Sequence, residues 1–350
     1  MANSIRRYDI DWLRVIAIGL LLIYHIAIVF QPWGVFIGFI QSNEPIISIW
    51  VPMTMLNVWR IPLLFFVSGM GVCFAIKKRN WKQLFTERAK RILIPFIVGI
   101  VLIVPIHILI WQAYYNQVFT FSPNRSHLWF LGNIFIYVII LSPLFFYLKR
   151  IESSLIGEKI KKLFGTPFGF LIILGCFVIE TLIIKMESFE MYAMTTHGFV
   201  IGFLAFLFGF ILIYSETYFW KAVLKWKWIF LLTAILLFSM RLFYFELVVV
   251  NYLKAIESCF WIFSIFGFGF NYLNKSSKTL SYLSEAAYPI YIIHMIFLYL
   301  GSYFILPLNI STILKFILIV VFTGVGCFAF YELLIKRIKF LRPLFGLKLK

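Results

Sequence analysis

The feature that most constrains this chain is a recurrence of long apolar runs. From residue 12 to residue 335 the sequence alternates between such runs and short connectors that carry most of its charge. Each run is about 18–22 residues long, and a helix of that length crosses a hydrocarbon core about 30 Å thick. The chain is 63% hydrophobic and 13% charged, with a mean hydropathy of +0.96. A soluble domain holds about 45–50% apolar and about 25% charged residues, so a soluble fold is excluded. The expected class is all-α: a polytopic integral membrane protein of about ten transmembrane helices. They are placed near residues 12–31, 57–76, 92–111, 128–148, 167–186, 198–214, 228–246, 255–273, 284–306 and 313–335. The first run holds His25 and has no small-residue cleavage site after it, so it reads as a spanning helix and not as a signal peptide.

The net charge of +18 would suit nucleic acid, but its distribution does not. Assigned to alternate sides, the connectors and termini hold 25 Lys and Arg on one side and 5 on the other. The cation-rich side is cytoplasmic under the positive-inside rule, which puts both termini in the cytoplasm. Residues 1–350 read as one membrane-embedded domain with no appended soluble module. The stretch 45–61 reads either as a plain loop or as an outer re-entrant or interfacial segment. Cys73, Cys176, Cys259 and Cys327 lie inside apolar runs without CxxC pairing, which argues against a disulfide framework or a zinc site. No His/carboxylate spacing suggests any other metal.

Charged residues deep in a membrane helix cost about 2.5–3.5 kcal/mol each, so each needs a reason. The first helix carries Asp11, Arg14 and His25. The eleven steps from Arg14 to His25 turn the helix about 1100°, which returns it to nearly the same face about 16 Å further along. Asp11 lies three residues before Arg14 and can pair with it. The bland readings are a helix cap for Asp11, snorkelling for Arg14 and an interhelical hydrogen bond for His25. His294, in Tyr288-Pro-Ile-Tyr291-Ile-Ile-His294, is a second mid-helix histidine, either part of a site or a packing bond. His107, His127 and His197 fall at the expected extracytoplasmic ends of their helices. Arg88 and Arg91 at a helix start suit a bidentate phosphate, or simply load the cytoplasmic side with charge. Ser68 and Gly69 in Phe65-Phe66-Val67-Ser68-Gly69, with Gly71 beyond, offer an intrabundle hydrogen bond and close packing. Glu180, Glu187, Glu190, Arg241, Glu246 and Glu257, with Trp129 and Tyr192, read as a polar sugar pocket or as an interface belt.

Taken together, these segments resemble membrane acyltransferase family 3. The resemblance rests on DWLRVIAIGLLLIYH with Arg14-x10-His25, FFVSG at 65–69, Arg88-x-x-Arg91 with Pro95, HLWFL at 127–131, LSEAAYPIYIIHMIFL at 283–298 and YELLIKRIKFLRPLFG at 331–346, in order along the chain. WRIPLLFFVSG at 59–69 and HLWFL are most similar to the branch typified by the glucans biosynthesis protein C. The family implies O-acyl transfer, from cytosolic acyl-CoA (acetyl-CoA or succinyl-CoA) to a hydroxyl of a cell-surface or periplasmic carbohydrate, in the bacterial cytoplasmic membrane. On that reading His25 is the general base, and an imidazole with an ordinary pKa near 6.5 suits the role. Arg14 orients the donor and Asp11 holds Arg14. Arg88, Arg91 and Ser68 hold the cofactor end, and Trp129, His127 and His294 meet the acceptor. Two other readings stay open: a polysaccharide or small-molecule transporter using the His/Arg pair as a relay, and an inert partner of a glycan synthase.

Overall fold

The computed structural model describes residues 6–349; Lys350, one of the cations assigned to the cytoplasm, lies outside them. The described residues are helical, joined by turns and loops, with no strand. In chain order the helices are α1 (Tyr8–Val29), α2 (Ile47–Lys77), α3 (Trp81–Tyr114), α4 (Ser126–Arg150), α5 (Leu155–Leu163), α6 (Pro167–Ile183), α7 (Thr196–Tyr214), α8 (Glu216–Phe243), α9 (Asn251–Tyr272), α10 (Lys278–Ile305) and α11 (Thr312–Ile335). Nine of these are long and apolar enough to cross a membrane, and α5 with α6, bent by 76°, would make a tenth if counted as one span. The chain is therefore a polytopic helical membrane protein. All ten expected spans have counterparts.

The boundaries differ from expectation where polar chemistry decides them. The stretch 45–61 contributes no separate loop element at its C-terminal end: a 3-10 turn at Ile47–Ile49 leads directly into the helix that runs on to Lys77. Residues 155–163, expected within a loop, form α5, whose first turn is capped by Ser154 accepting from the Gly157 amide at 3.2 Å. Within α3, π turns occupy Ala89–Leu93 and Gly99–Ile103, each ending two residues before a proline, Pro95 or Pro105. Proline lacks the N–H that would bond four residues back, so the ladder shifts to wider i→i+5 bonds ahead of it.

α8 and α11 bury only 17% of their most apolar window, and their outward residues, such as Leu232, Leu236, Ile317 and Val321, are exposed. In a membrane those faces meet lipid, which accepts apolar side chains at no cost.

The chain divides into two compact units. The first takes the start of α1 up to Ala17, then Met55–Thr86 and Asn133–Leu280. Its packing is tightest between α2 and α7: a Cβ on Gly69 would collide with the Phe206 carbonyl oxygen, and one on Gly209 with that of Phe66. Gly71, the other glycine expected to serve close packing, has nothing within 4 Å of such a Cβ. Phe145 and Phe210 stack at 3.8 Å in the same core. The N-terminus is pinned by fully buried Asp9, which accepts from Arg7 at 2.9 Å, and the Arg7 guanidinium lies 3.7 Å over the Trp220 ring.

The second unit takes Ile18–Thr54, Glu87–Gly132 and the chain from Ser281 onward. Its core joins Ile26, Val29 and Phe30 of α1 to Met295, Leu298 and Tyr299 of α10. The segment after α1 folds back onto this core. Gln31 donates to the Ile46 carbonyl at 3.2 Å, and Tyr299 donates to the Gly38 carbonyl at 2.6 Å. Trp111 donates to the Phe39 carbonyl at 3.3 Å, so Phe39 is held down as a buried residue.

Candidate active site

The second unit gathers four of the chain's five histidines. His25 from α1 and His294 from α10 lie ring against ring, with centroids 5.2 Å apart and planes 3° from parallel. Their nearest nitrogens, His25 Nδ1 and His294 Nε2, are 2.9 Å apart. His294 is fully buried and His25 is half-buried. His127, in the first turn of α4, sets its ring edge-on to His294 at 5.0 Å, and His107 of α3 is edge-on to His127 at 5.7 Å. Phe39 covers the His25 ring at 5.8 Å.

The carbonyls around the cluster assign its protons. His294 Nδ1 lies 2.6 Å from the Tyr291 carbonyl oxygen, which can only accept, so this nitrogen carries a hydrogen. A neutral His294 then holds its lone pair on Nε2, the nitrogen facing His25. His25 Nδ1–H is therefore the donor, and the lone pair of neutral His25 is on Nε2. His127 Nε2 donates to the Ile292 carbonyl at 3.0 Å, and the Tyr291 hydroxyl donates to the His127 carbonyl. The start of α4 is thereby tied to the middle of α10.

His127 opens α4, the helix end expected for it, and its bonds to Ile292 and Tyr291 set it beside α10. His107 joins the same cluster, with its ring 5.0 Å from that of Tyr299. All five histidines fall in or beside apolar runs, so position in the sequence does not separate His197 from the four that cluster. Trp129, two residues after His127, is buried with its ring edge-on to Phe130.

The other expected site residues sort as follows. Arg14 donates to Asp11 at 3.1 Å, the pairing expected from their spacing, and Asp11 also accepts from Arg6 at 2.9 Å. Both lie on α1 with His25 but belong to the first unit. Arg88 ends the first regular stretch of α3, and Arg91 lies in the π turn that follows, ion-paired to Glu87 at 3.5 Å. Ser68 belongs to the first unit and donates to the Leu64 carbonyl at 2.7 Å, within its own helix.

The residues read as a sugar pocket divide. Glu187 and Glu246 are exposed. Glu190, Arg241 and Glu257 are joined in ion pairs inside the first unit. Arg241 donates to both oxygens of Glu257 at 2.8 and 2.9 Å, and Lys254 donates to Glu190 at 2.8 Å. His197 meets Glu180 at 2.7 Å. Tyr192 donates to the Val58 carbonyl at 3.0 Å.

Among the described residues no group of three or more His, Cys, Asp or Glu side chains could hold a metal ion, the clustered histidines included. The nitrogens at the centre of that cluster face one another or backbone carbonyls.

Helices long and apolar enough to cross a membrane, nine or ten of them among the described residues, define the class: a polytopic integral membrane protein. Residues 7–332 match the family described as an acyltransferase domain, and the chain belongs to it: membrane acyltransferase family 3. It is thus an acyltransferase of groups other than aminoacyl groups. No curated protein and no solved structure matches the chain.

Proposed function

We propose that the protein moves a short acyl group, acetyl or succinyl, from acyl-CoA to a carbohydrate hydroxyl at the bacterial cytoplasmic membrane, with His25 as general base. The observation that carries this reading is the 2.9 Å approach of His25 Nδ1 to His294 Nε2, inside a chain whose family transfers acyl groups. An imidazole that donates its Nδ1–H inward holds its lone pair on Nε2, the nitrogen that acts as the base. The acceptor O–H gives its proton to His25 Nε2 as its oxygen bonds to the acyl carbon. The C–S bond then breaks, and His25 returns the proton to the departing thiolate. Ester and coenzyme A leave, and His25 is neutral again.

The donor's phosphates are assigned to Arg88 and Arg91, which share with His25 the second unit. Guanidinium groups bind phosphate oxygens in a planar fork, which a lysine does not offer. Arg14, held by Asp11, is assigned to orienting the donor. Trp129 and His127 are assigned to the acceptor, whose ring would lie on the indole; His294, expected beside them, has its two nitrogens engaged by the Tyr291 carbonyl and by His25. Ser68 is the weakest of the assigned groups, because its hydroxyl hydrogen is already given to Leu64. The family match runs through both units, which supports reading them as one catalytic domain.

The test is acyl transfer by purified protein in lipid, with coenzyme A binding measured beside it. His25→Ala is expected to lower kcat by about 10²–10⁴-fold, the usual contribution of a general base. Transfer at the wild-type rate by that variant sinks the mechanism. Arg88→Ala with Arg91→Ala is expected to weaken coenzyme A binding, and unchanged affinity removes the phosphate assignment.

A further inference from the structure

We infer that His294 is a positioning residue, which fixes the tautomer and the ring plane of His25 as the carboxylate of a catalytic triad does. The inference rests on His25 being the base and adds what makes it one.

A neutral histidine can carry its proton on either nitrogen, and only the nitrogen without it can take a proton. A base held on a helix therefore needs a second group that accepts from one chosen nitrogen. In serine hydrolases a buried aspartate does this, and its replacement by the amide leaves the wrong tautomer. Here the group that meets His25 Nδ1 is the fully buried His294, its ring plane 3° from parallel and its Nε2 2.9 Å away.

A histidine can serve as that acceptor only if its own proton is fixed elsewhere, and the Tyr291 carbonyl 2.6 Å from Nδ1 fixes it. The reverse assignment, with His294 donating from Nε2, would put hydrogens on both of its nitrogens. It would then be a cation with no exposed surface, which is costly without a paired anion. The anchor is itself held. Tyr291, one turn back on α10, donates its hydroxyl to the His127 carbonyl, and His127 donates to Ile292. Packing of Ile26 and Val29 with Met295 and Leu298 sets the distance between the two helices.

The same geometry decides against a proton relay. A relay would take a proton at His294 Nε2 and release the one on Nδ1. That hydrogen points at an amide carbonyl, which is not a base at any ordinary pH. The proton accepted by His25 therefore stays on His25 until the thiolate takes it. When His25 becomes an imidazolium its Nδ1–H remains donated to His294, so the hydrogen bond strengthens without changing direction.

Three variants and one spectrum test this. His294→Ala removes the acceptor; His294→Gln keeps a carbonyl oxygen that can accept from His25. His294→Ala is expected to lower kcat about 100-fold, within the range of a general base's whole contribution, with the donor KM unchanged. His294→Gln is expected to recover most of that loss. In ¹⁵N-histidine spectra, His25 of the wild type and of His294→Gln should carry its hydrogen on Nδ1. In His294→Ala it should shift towards Nε2. A merely structural role for His294 would lower the yield of folded protein and leave that signature alone. Wild-type kcat in His294→Ala, or an Nε2–H His25 in the wild type or in His294→Gln, overturns the inference. If His294→Ala does not fold, the spectrum of the glutamine variant decides. The third variant, His25→Ala, separates the two claims. Its full activity removes the base itself, whereas its inactivity beside a fully active His294→Ala removes only the positioning role.

Discussion

At the scale of residues, Gly69 and Gly209 face backbone oxygen and not side chains. A Cβ at either would run into a carbonyl, Phe206 for one and Phe66 for the other, and neither carbonyl can rotate away from it. Gly69→Ala is expected to destabilise the protein by about 2 kcal/mol or more, as overpacking does, read as a lower unfolding midpoint in mild detergent. Gly71→Ala, where the same atom meets nothing, should leave that midpoint unchanged. The buried pair Arg241–Glu257 offers a second test, since both side chains are only 2% exposed. Glu257→Leu alone leaves buried Arg241 and Lys254 sharing the one carboxylate of Glu190 and should cost about 3–5 kcal/mol. Arg241→Met with Glu257→Leu removes both charges and leaves Lys254 with Glu190, so it should cost much less. Equal losses from the single and double variants would show that charge balance is not what matters there.

At the scale of elements, α3 shows how composition alters a helix without ending it. Its two π turns precede Pro95 and Pro105, and the first of them carries Arg91. The C-terminal segment packs against this region: a Cβ on Gly346 would lie 2.9 Å from the Arg91 carbonyl oxygen and 2.5 Å from the Tyr288 ring. Arg342 fastens the segment, donating to the Lys336 and Lys348 carbonyls at 2.9 and 2.8 Å and to Glu285 at 3.1 Å. Hydrogen bonds to a charged group stabilise by about 1.5–3 kcal/mol each, so Arg342→Ala should open this segment locally while the bundle stays folded. Protease cleavage within residues 336–349 should rise by about tenfold or more, which corresponds to about 1.4 kcal/mol. Cleavage at the wild-type rate would mean that apolar packing of Phe345 holds the segment without the arginine.

At the scale of the whole molecule, the charge asymmetry is sharper than loop counting made it. Of the five cations assigned to the sparse side, Arg60, Arg241 and Lys254 are buried within the first unit and so are not loop charges. Arg125 and Lys185 remain. A cysteine at Asn80 should then react only with reagent on the cytosolic side, and one at Glu187 only from outside; the reverse pattern would invert the layout. The number and order of the helices were legible in the sequence because a bilayer imposes one length on every span, and length can be counted. The Asp11–Arg14 pair was legible too, because a helix brings residues three apart together whatever surrounds it. The histidine cluster was not. His25 and His294 are 269 positions apart, and each alone reads equally well as a satisfied core histidine. The place of His127 at the start of its helix was legible, but its neighbours on α10 were not. The sugar pocket was read from a shared side of the membrane, and the ion pairs among Glu190, Arg241, Lys254 and Glu257 lay outside that reading. The sequence by itself determined the solvent, the spans and which side chains are costly in lipid, since these follow from local composition and a fixed bilayer thickness. Only the tertiary structure decided which costly groups neutralise one another and which meet as a site, because partner choice depends on which helix faces pack together, and helices this apolar on every side leave that undetermined.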